Sequence, residues 1–389
     1  MSYEIDMHES ADLKLDLLIN GVRIDSSINK IDKEFKSYSP KLFYHHRRKL
    51  DKNELQKIPS ELVLPYEFVV DVRMNDTSPY VVKYDERDDK IFIEKNGEYI
   101  TEIWFPPKPE YYDKVTSTGK KMSEVSTVLG LDLFSFILFN DCDFWKTKDQ
   151  CWFCNIGYAN KQFEKYDPTP QEIAEAFYHA VRDKNVKIEH VCCTTGTKVN
   201  GDLEVKKLIE TLELMKEYLP WNKFRGVFLI SPIENEIYIE KLADLKIENI
   251  GLSREVGNEE IFKRICPGKS KLEERFYNTI KKGVEELGWG HVEIAFISSL
   301  EPMEDTIKKC EELASMGCVP AVSVFRPSIG SRLASRKTWD KEYHKELYLR
   351  IRDIQEEYDV VQNYNNRPVN CERCYKSSLV NESWMGAFD

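Results

Sequence analysis

The chain has 389 residues, 41% of them hydrophobic and 32% charged, the balance of a soluble globular protein. That length exceeds one small core and predicts a large domain of about 200–250 residues with a substantial extra region. A formal net charge of −11 with no dense basic stripe argues against nucleic acid as a partner. The short run His45-His46-Arg47-Arg48-Lys49 reads as a solvated face. The longest apolar run, residues 133–139, is far too short to span a bilayer, so no membrane partner is expected. The acidic opening MSYEIDMHES has no apolar stretch of the kind a secretory leader needs. Ten cysteines, including two C-x2-C pairs and the adjacent Cys192-Cys193, read as reduced thiols and metal ligands rather than a disulfide framework. A cytoplasmic location is the expectation that follows.

In chain order, Leu13, Leu15 and Leu17 alternate with polar residues, and Asn20-Gly21 precedes Val22 and Ile24. This pattern predicts a β-hairpin. Residues 79–105 read as two strands around an acidic turn, followed by a second hairpin signal, Asn96-Gly97, before EYITEIWF. The segment FPPKPEYYDKVTSTGKK is a proline-rich, glycine-punctuated connection. From about residue 130 buried strands alternate with amphipathic helices. Strands are predicted over 131–139, 188–194, 224–230, 247–252, 291–297 and 319–325. Helices are predicted over 171–182, 203–218, 237–244, 272–287, 303–316 and 340–358. Thr169 and Glu172 form a capping-box signature at the start of the first of these helices.

Six β–α units in succession predict a parallel sheet with right-handed crossovers. Six rather than eight predicts a partly open barrel. The expected fold class is α/β, a partial (β/α)6 TIM-type barrel with an N-terminal α+β accessory region. The expected divisions are an accessory region (1–125), the barrel (126–335) and a C-terminal helix with a Cys-x2-Cys tail (336–389). In such barrels function sits at the C-terminal ends of the strands.

The loop after the first predicted strand carries Cys142, Cys151 and Cys154, spaced C-x8-C-x2-C. Three thiolates can hold three irons of a [4Fe–4S] cluster and leave the fourth open to a ligand. The competing reading is a structural zinc site joining Cys151 and Cys154 to Cys371 and Cys374. It gives Cys142 no role, although Cys142 stands among the polar residues Asn140, Asp141 and Asp143. Cys371 and Cys374 form a second metal candidate: an auxiliary iron–sulfur cluster, a zinc site, a redox pair, or none of these. Cys266, Cys310 and Cys318 read as small buried hydrophobes.

With these residues the chain resembles the radical SAM superfamily, in a biotin-synthase-like or uncharacterised subgroup with an atypical cluster motif. The family's commonest motif has a shorter first gap; the two-residue second gap is kept here. The resemblance implies a [4Fe–4S] cluster on Cys142, Cys151 and Cys154, with S-adenosylmethionine (SAM) as the second cofactor. It further implies a one-electron reductant of the flavodoxin or ferredoxin type, and a 5′-deoxyadenosyl radical that takes hydrogen from a substrate. The barrel mouth favours a small-molecule substrate; a peptide or protein is the alternative, as is a non-catalytic zinc protein. Phe153 stands where the family packs a ring on adenine. Thr194, Thr195, Gly196 and Thr197 replace the family's Gly-Gly-Glu turn for the amino end of SAM, and taken alone are simply a turn. Ser253 and Glu255, on one face if their strand continues, occupy the family's position for ribose and carboxylate contacts; a surface salt-bridge cluster is the other reading. Ile297 lies on the strand that resembles the adenine-binding strand, and reads equally as core. Arg326 is a candidate for an anionic group of SAM or substrate, or for a structural ion pair.

Overall fold

The computed structural model describes residues 4–38, 46–164, 166–361 and 376–389. Its first element is a helix, α1 (Met7–Asn20), and not the predicted hairpin. Asp6 and Glu9 make a reciprocal capping box at its start, and Gly21 ends it with a left-handed φ of +71°. The Leu13/Leu15/Leu17 alternation misleads because this helix is buried on several faces at once, with Ala11, Leu13, Lys14, Leu15, Leu17 and Leu18 all covered. Strand β1 (Arg23–Ile24) and the short helix α2 (Lys52–Leu55) follow, then the antiparallel pair β2 (Glu61–Leu64) and β3 (Phe68–Asp71). Next come β4 (Tyr80–Asp85), β5 (Lys90–Lys95) and β6 (Glu98–Ile103), an antiparallel meander extended by β1 into a four-stranded sheet. Both hairpin signals in 79–105 are realised; Asn96 and Gly97 both take positive φ between β5 and β6.

The second sheet has seven strands. Its edge strand β7 (Ser126–Leu129) pairs antiparallel with β8 (Leu133–Ile137) and has no counterpart in the sequence reading. Then β9 (His190–Thr194), β10 (Phe224–Leu229), β11 (Ile247–Glu255), β12 (Val292–Ile297) and β13 (Cys318–Ser323) add in chain order, each parallel to the last. These are the six predicted parallel strands. The sequential order is that of a singly wound barrel left open, since β7 and β13 are the two ends of the sheet.

Between β8 and β9 lie α3 (Asp143–Lys146), α4 (Ile156–Gln162) and α5 (Pro170–Ala180); α5 is capped by the predicted Thr169–Glu172 box. Helices α6 (Gly201–Lys216) and α7 (Ile237–Asp244) form the next crossovers. Then come α8 (Glu259–Ile265), α9 (Pro267–Ser270) and α10 (Glu273–Leu287) between β11 and β12, and α11 (Met303–Ala314) before β13. The chain closes with α12 (Lys341–Glu357) and α13 (Val380–Trp384). No helix among the described residues is long and apolar enough to cross a membrane.

One apolar core runs from Leu15 and Leu18 of α1 through Phe134, Phe228 and Ile294 of the parallel sheet to Leu347 and Ile351 of α12. Beside it runs a buried charge chain. Lys36 bonds Glu61 at 2.9 Å, Lys376 bonds Glu61 at 3.1 Å and Asp71 at 2.8 Å, and Arg326 pairs with Asp71. Lys36 also donates to the Val128 carbonyl of β7 at 3.0 Å. Burial works against the Glu61 charge, but Lys36 and Lys376 outweigh it and hold the carboxyl below its ordinary range. Removing one member of such a set leaves buried charges uncompensated. Glu61→Ala is therefore expected to cost about 3–5 kcal/mol in a urea melt; a loss below about 1 kcal/mol, the exposed-pair range, would contradict the burial argument.

Candidate metal and cofactor site

The site begins with backbone. Beyond β8 and β9 the two chains stay joined: Leu138 N–H donates to Thr194 O at 3.0 Å, Gly196 N–H to Phe139 O at 2.9 Å, and Asp143 N–H to Thr197 O at 3.0 Å. A Cβ on Gly196 would lie 2.0 Å from the Asp141 carbonyl oxygen, so only glycine permits this approach. The turn Thr194–Thr195–Gly196–Thr197 thus lies directly against the loop that opens with Cys142. Lys198 reinforces the junction by pairing with Asp141 and, at 3.6 Å, with Asp143.

The rest of the cysteine loop is clamped by distant segments. Trp152 N–H donates to Ile265 O at 2.9 Å, Gly268 N–H to Asp149 O at 3.0 Å, and Leu333 N–H to Trp152 O at 3.1 Å. Lys271 bonds Asp149 at 2.7 Å. Cys151, Phe325, Leu300, Val256, Phe262 and Cys266 form a small second apolar cluster, against which Phe153, Cys154 and Ile297 pack. Phe153 and Ile297, proposed from the sequence for the same base, therefore share one apolar patch with two of the cysteines.

The three thiols sit near one another. Burial and the neighbouring Cys151 raise the Cys142 pKa, and the same two causes push Cys154 up to about 12. Contact with Cys266, then burial, lifts Cys151 well above the ordinary thiol range. Thiols that resist ionisation in one buried pocket need a strong positive charge to become thiolates, which is what a bound metal supplies. Among the described residues, no three His, Cys, Asp or Glu side chains converge on a single ion. A cluster whose irons each take their own thiolate does not require that convergence. The donor set therefore fits an iron–sulfur cluster.

Ser253, Thr195 and Thr197 line a cleft together with Lys269, Arg254, Glu273, Ser231 and Phe276. Glu255 does not share a face with Ser253 as strict alternation would have it. Its φ is +72°, and the β11–β12 register shifts between the two residues. Its carboxylate pairs instead with Lys269, whose ammonium is stabilised, against the cost of burial, by Glu255, Cys151 and Cys266. Arg254 is a structural cation: fully buried, it bonds Glu259 at 2.6 Å and Glu273 at 3.2 Å and lies 3.7 Å from the Phe262 ring centroid. Arg326 faces the accessory region, where Asp71 takes its charge.

Cys310 and Cys318 are buried as expected. Cys266 is equally buried, but it stands against Cys151 rather than in the main core. No spacing rule links Cys266 or Lys269 to the cysteine loop; only the barrel order, which gathers every β–α loop at one end, brings them together. Cys371 and Cys374 lie outside the described residues.

Behind the cavity wall, Glu204 of α6 is fully buried and receives 2.8 Å hydrogen bonds from both the Ser231 backbone N–H and, when ionised, its hydroxyl. Burial dominates those bonds and raises its pKa to about 8.

No family model and no curated protein matches the sequence. Solved structures that resemble it are distant. Methylornithine synthase (PylB) aligns at 16% identity and a TM-score of 0.46, over 66% of this chain and 69% of that one. The FeFe-hydrogenase maturase HydG from Carboxydothermus hydrogenoformans aligns at 17% and 0.45, over 58% and 52%. Coproporphyrinogen III oxidase (HemN) from Escherichia coli, described as a radical SAM enzyme, aligns at 13% and 0.39, over 59% and 53%. The chain thus spans about half the length of the last two.

The Glu204 shift has a sign that can be measured. A carboxyl whose folded pKa lies above its unfolded value stabilises the fold fully below about pH 4.5, and that contribution is lost as pH rises through about 8. Glu204→Gln keeps a donor and an acceptor for Ser231 without the charge. Urea melts at pH 5 and pH 8 should show the variant close to wild type at the lower pH and more stable by roughly 2–4 kcal/mol at the higher one. Equal slopes for both proteins would show that Glu204 does not titrate with folding.

Proposed function

We propose that this chain is a radical SAM enzyme acting on a small molecule at the mouth of the open barrel. The observation that carries the reading is the junction just described: three neighbouring thiols, Cys151 buried and Cys142 and Cys154 half-buried, at the C-terminal end of a parallel sheet, laid against a Thr-Gly turn and beside a cleft of mixed polarity. Cys142, Cys151 and Cys154 would hold a [4Fe–4S] cluster, leaving one iron for SAM. Bound there with one electron from a flavodoxin- or ferredoxin-type donor, these cofactors supply reductive cleavage of SAM to methionine and a 5′-deoxyadenosyl radical that takes hydrogen from the substrate.

The remaining work belongs to the protein. The Gly196 backbone and the Thr194, Thr195 and Thr197 hydroxyls suit the zwitterionic end of SAM, and Ser253 suits a ribose hydroxyl. Phe153 and Ile297 offer apolar surface to adenine. Lys269, poised between Glu255 and the thiols, offsets negative charge that the thiolates bring into a buried space, and Glu255 keeps that ammonium in place. The clamp from Ile265, Gly268 and Leu333 holds the loop in register and keeps bulk water from its apolar side.

The test is direct. Anaerobically reconstituted protein should be brown, carry about four irons per chain, and release 5′-deoxyadenosine from SAM and a strong reductant. Cys151→Ala should lose both the iron and the product. Colourless protein that binds zinc and no iron would replace this reading with a structural zinc site.

A further inference from the structure

The eight residues between Cys142 and Cys151 are not slack. They build the single turn α3, which Phe144 docks onto Gly268; a Cβ there would lie 2.3 Å from the Phe144 ring. The Asp149 N–H closes the turn on the Phe144 carbonyl at 2.8 Å. Trp145, next along, lies over the first turn of α4, where a Cβ on Gly157 would come within 2.3 Å of the indole. The Trp145 backbone N–H donates to Cys142 O at 3.1 Å. Gly157 is three residues beyond Cys154, so this packing sets the indole beside the third cysteine. The indole Nε1 is buried and has no hydrogen-bond partner. It lies close to the Cys154 sulfur, whose ionised form it favours.

A buried N–H without an acceptor is destabilising, and a thiolate ligand is the acceptor that would satisfy this one. Hydrogen bonds to cluster sulfurs draw electron density from the metal and favour the reduced state. Resting on the cluster reading above, we propose that Trp145 is a positioning residue that donates its indole N–H to the Cys154 sulfur and raises the reduction potential of the cluster held there. The long first gap thereby acquires a role: it carries the donor.

The experiment compares reconstituted wild type with Trp145→Phe, which keeps an aromatic ring over Gly157 and removes only the donor. Iron content should be unchanged, while the midpoint potential in an EPR-monitored redox titration should move to a more negative value. In wild type labelled with [indole-15N]tryptophan, pulsed EPR of the reduced cluster should show a nitrogen coupling that survives Trp152→Phe and disappears in Trp145→Phe. A normally assembled Trp145→Phe cluster with an unmoved potential overturns the proposal and leaves the enzyme reading intact. If the variant fails to assemble, absence of the 15N coupling in wild type overturns it equally. Wild type that takes up no iron sinks both.

Discussion

The structure turns on the backbone clasp between the end of β9 and the cysteine loop. Three N–H···O bonds of 2.9–3.0 Å and the bare Cα of Gly196 bring two chains closer than side chains would allow. Everything at the mouth is placed from this clasp. It sets Cys142 at the start of α3, aims Asp141 and Asp143 at Lys198, and puts the Thr195 and Thr197 hydroxyls on the cavity wall. The parallel ladder supplies the rigid base from which both loops spring, which is why a site on loops can hold a fixed geometry.

Charge is the second constraint. The mouth gathers thiols, carboxylates and cations, many of them buried, and a buried charge needs a partner. Arg254 answers Glu259 and Glu273; Lys269 answers Glu255 and leans on Cys151 and Cys266. Burial and neighbouring thiols disfavour ionisation of the cysteines, whereas Lys269 is held charged in the same space. On the cluster reading proposed above, the pocket would favour metal-bound thiolates over free ones, and loading and thiol deprotonation would be one event.

Much of this was legible in the sequence because parallel strands buried on both faces read as short apolar runs between helices, and six of them stand in order. Thr169 and Glu172 marked α5, and Asn96-Gly97 marked a hairpin, since caps and tight turns are local chemistry. Failures came where tertiary burial replaced the local signal. A helix covered on several faces lost its amphipathic stripe, so Leu13, Leu15 and Leu17 imitated a strand. The edge strand β7 is four residues long and was hidden in the connection before β8. Glu255 looked like a continuation of alternation because one left-handed residue leaves no mark in composition. Arg326 stayed open between a ligand contact and a structural ion pair because its partner, Asp71, lies far away in the chain.

That last pairing bears on how an open barrel survives. A sheet that does not close leaves two edges of unpaired backbone, each a liability. At one edge β7 folds back antiparallel on β8, and Lys36 reaches its Val128 carbonyl. At the other, where β13 runs out, Val324 N–H donates to Ser377 O at 2.9 Å and Ile329 N–H to His46 O at 3.0 Å, with Arg326 between them pinned by Asp71. The accessory region and the C-terminal segment thus finish what two missing β–α units would have supplied. The ion pairs Lys36–Glu61–Lys376–Asp71–Arg326 run from one edge to the other, so both coverings depend on a single buried network. An arginine at the end of the last strand could serve a ligand only if that network were opened. Its place in the fold makes it part of the covering of the sheet edge rather than of the site.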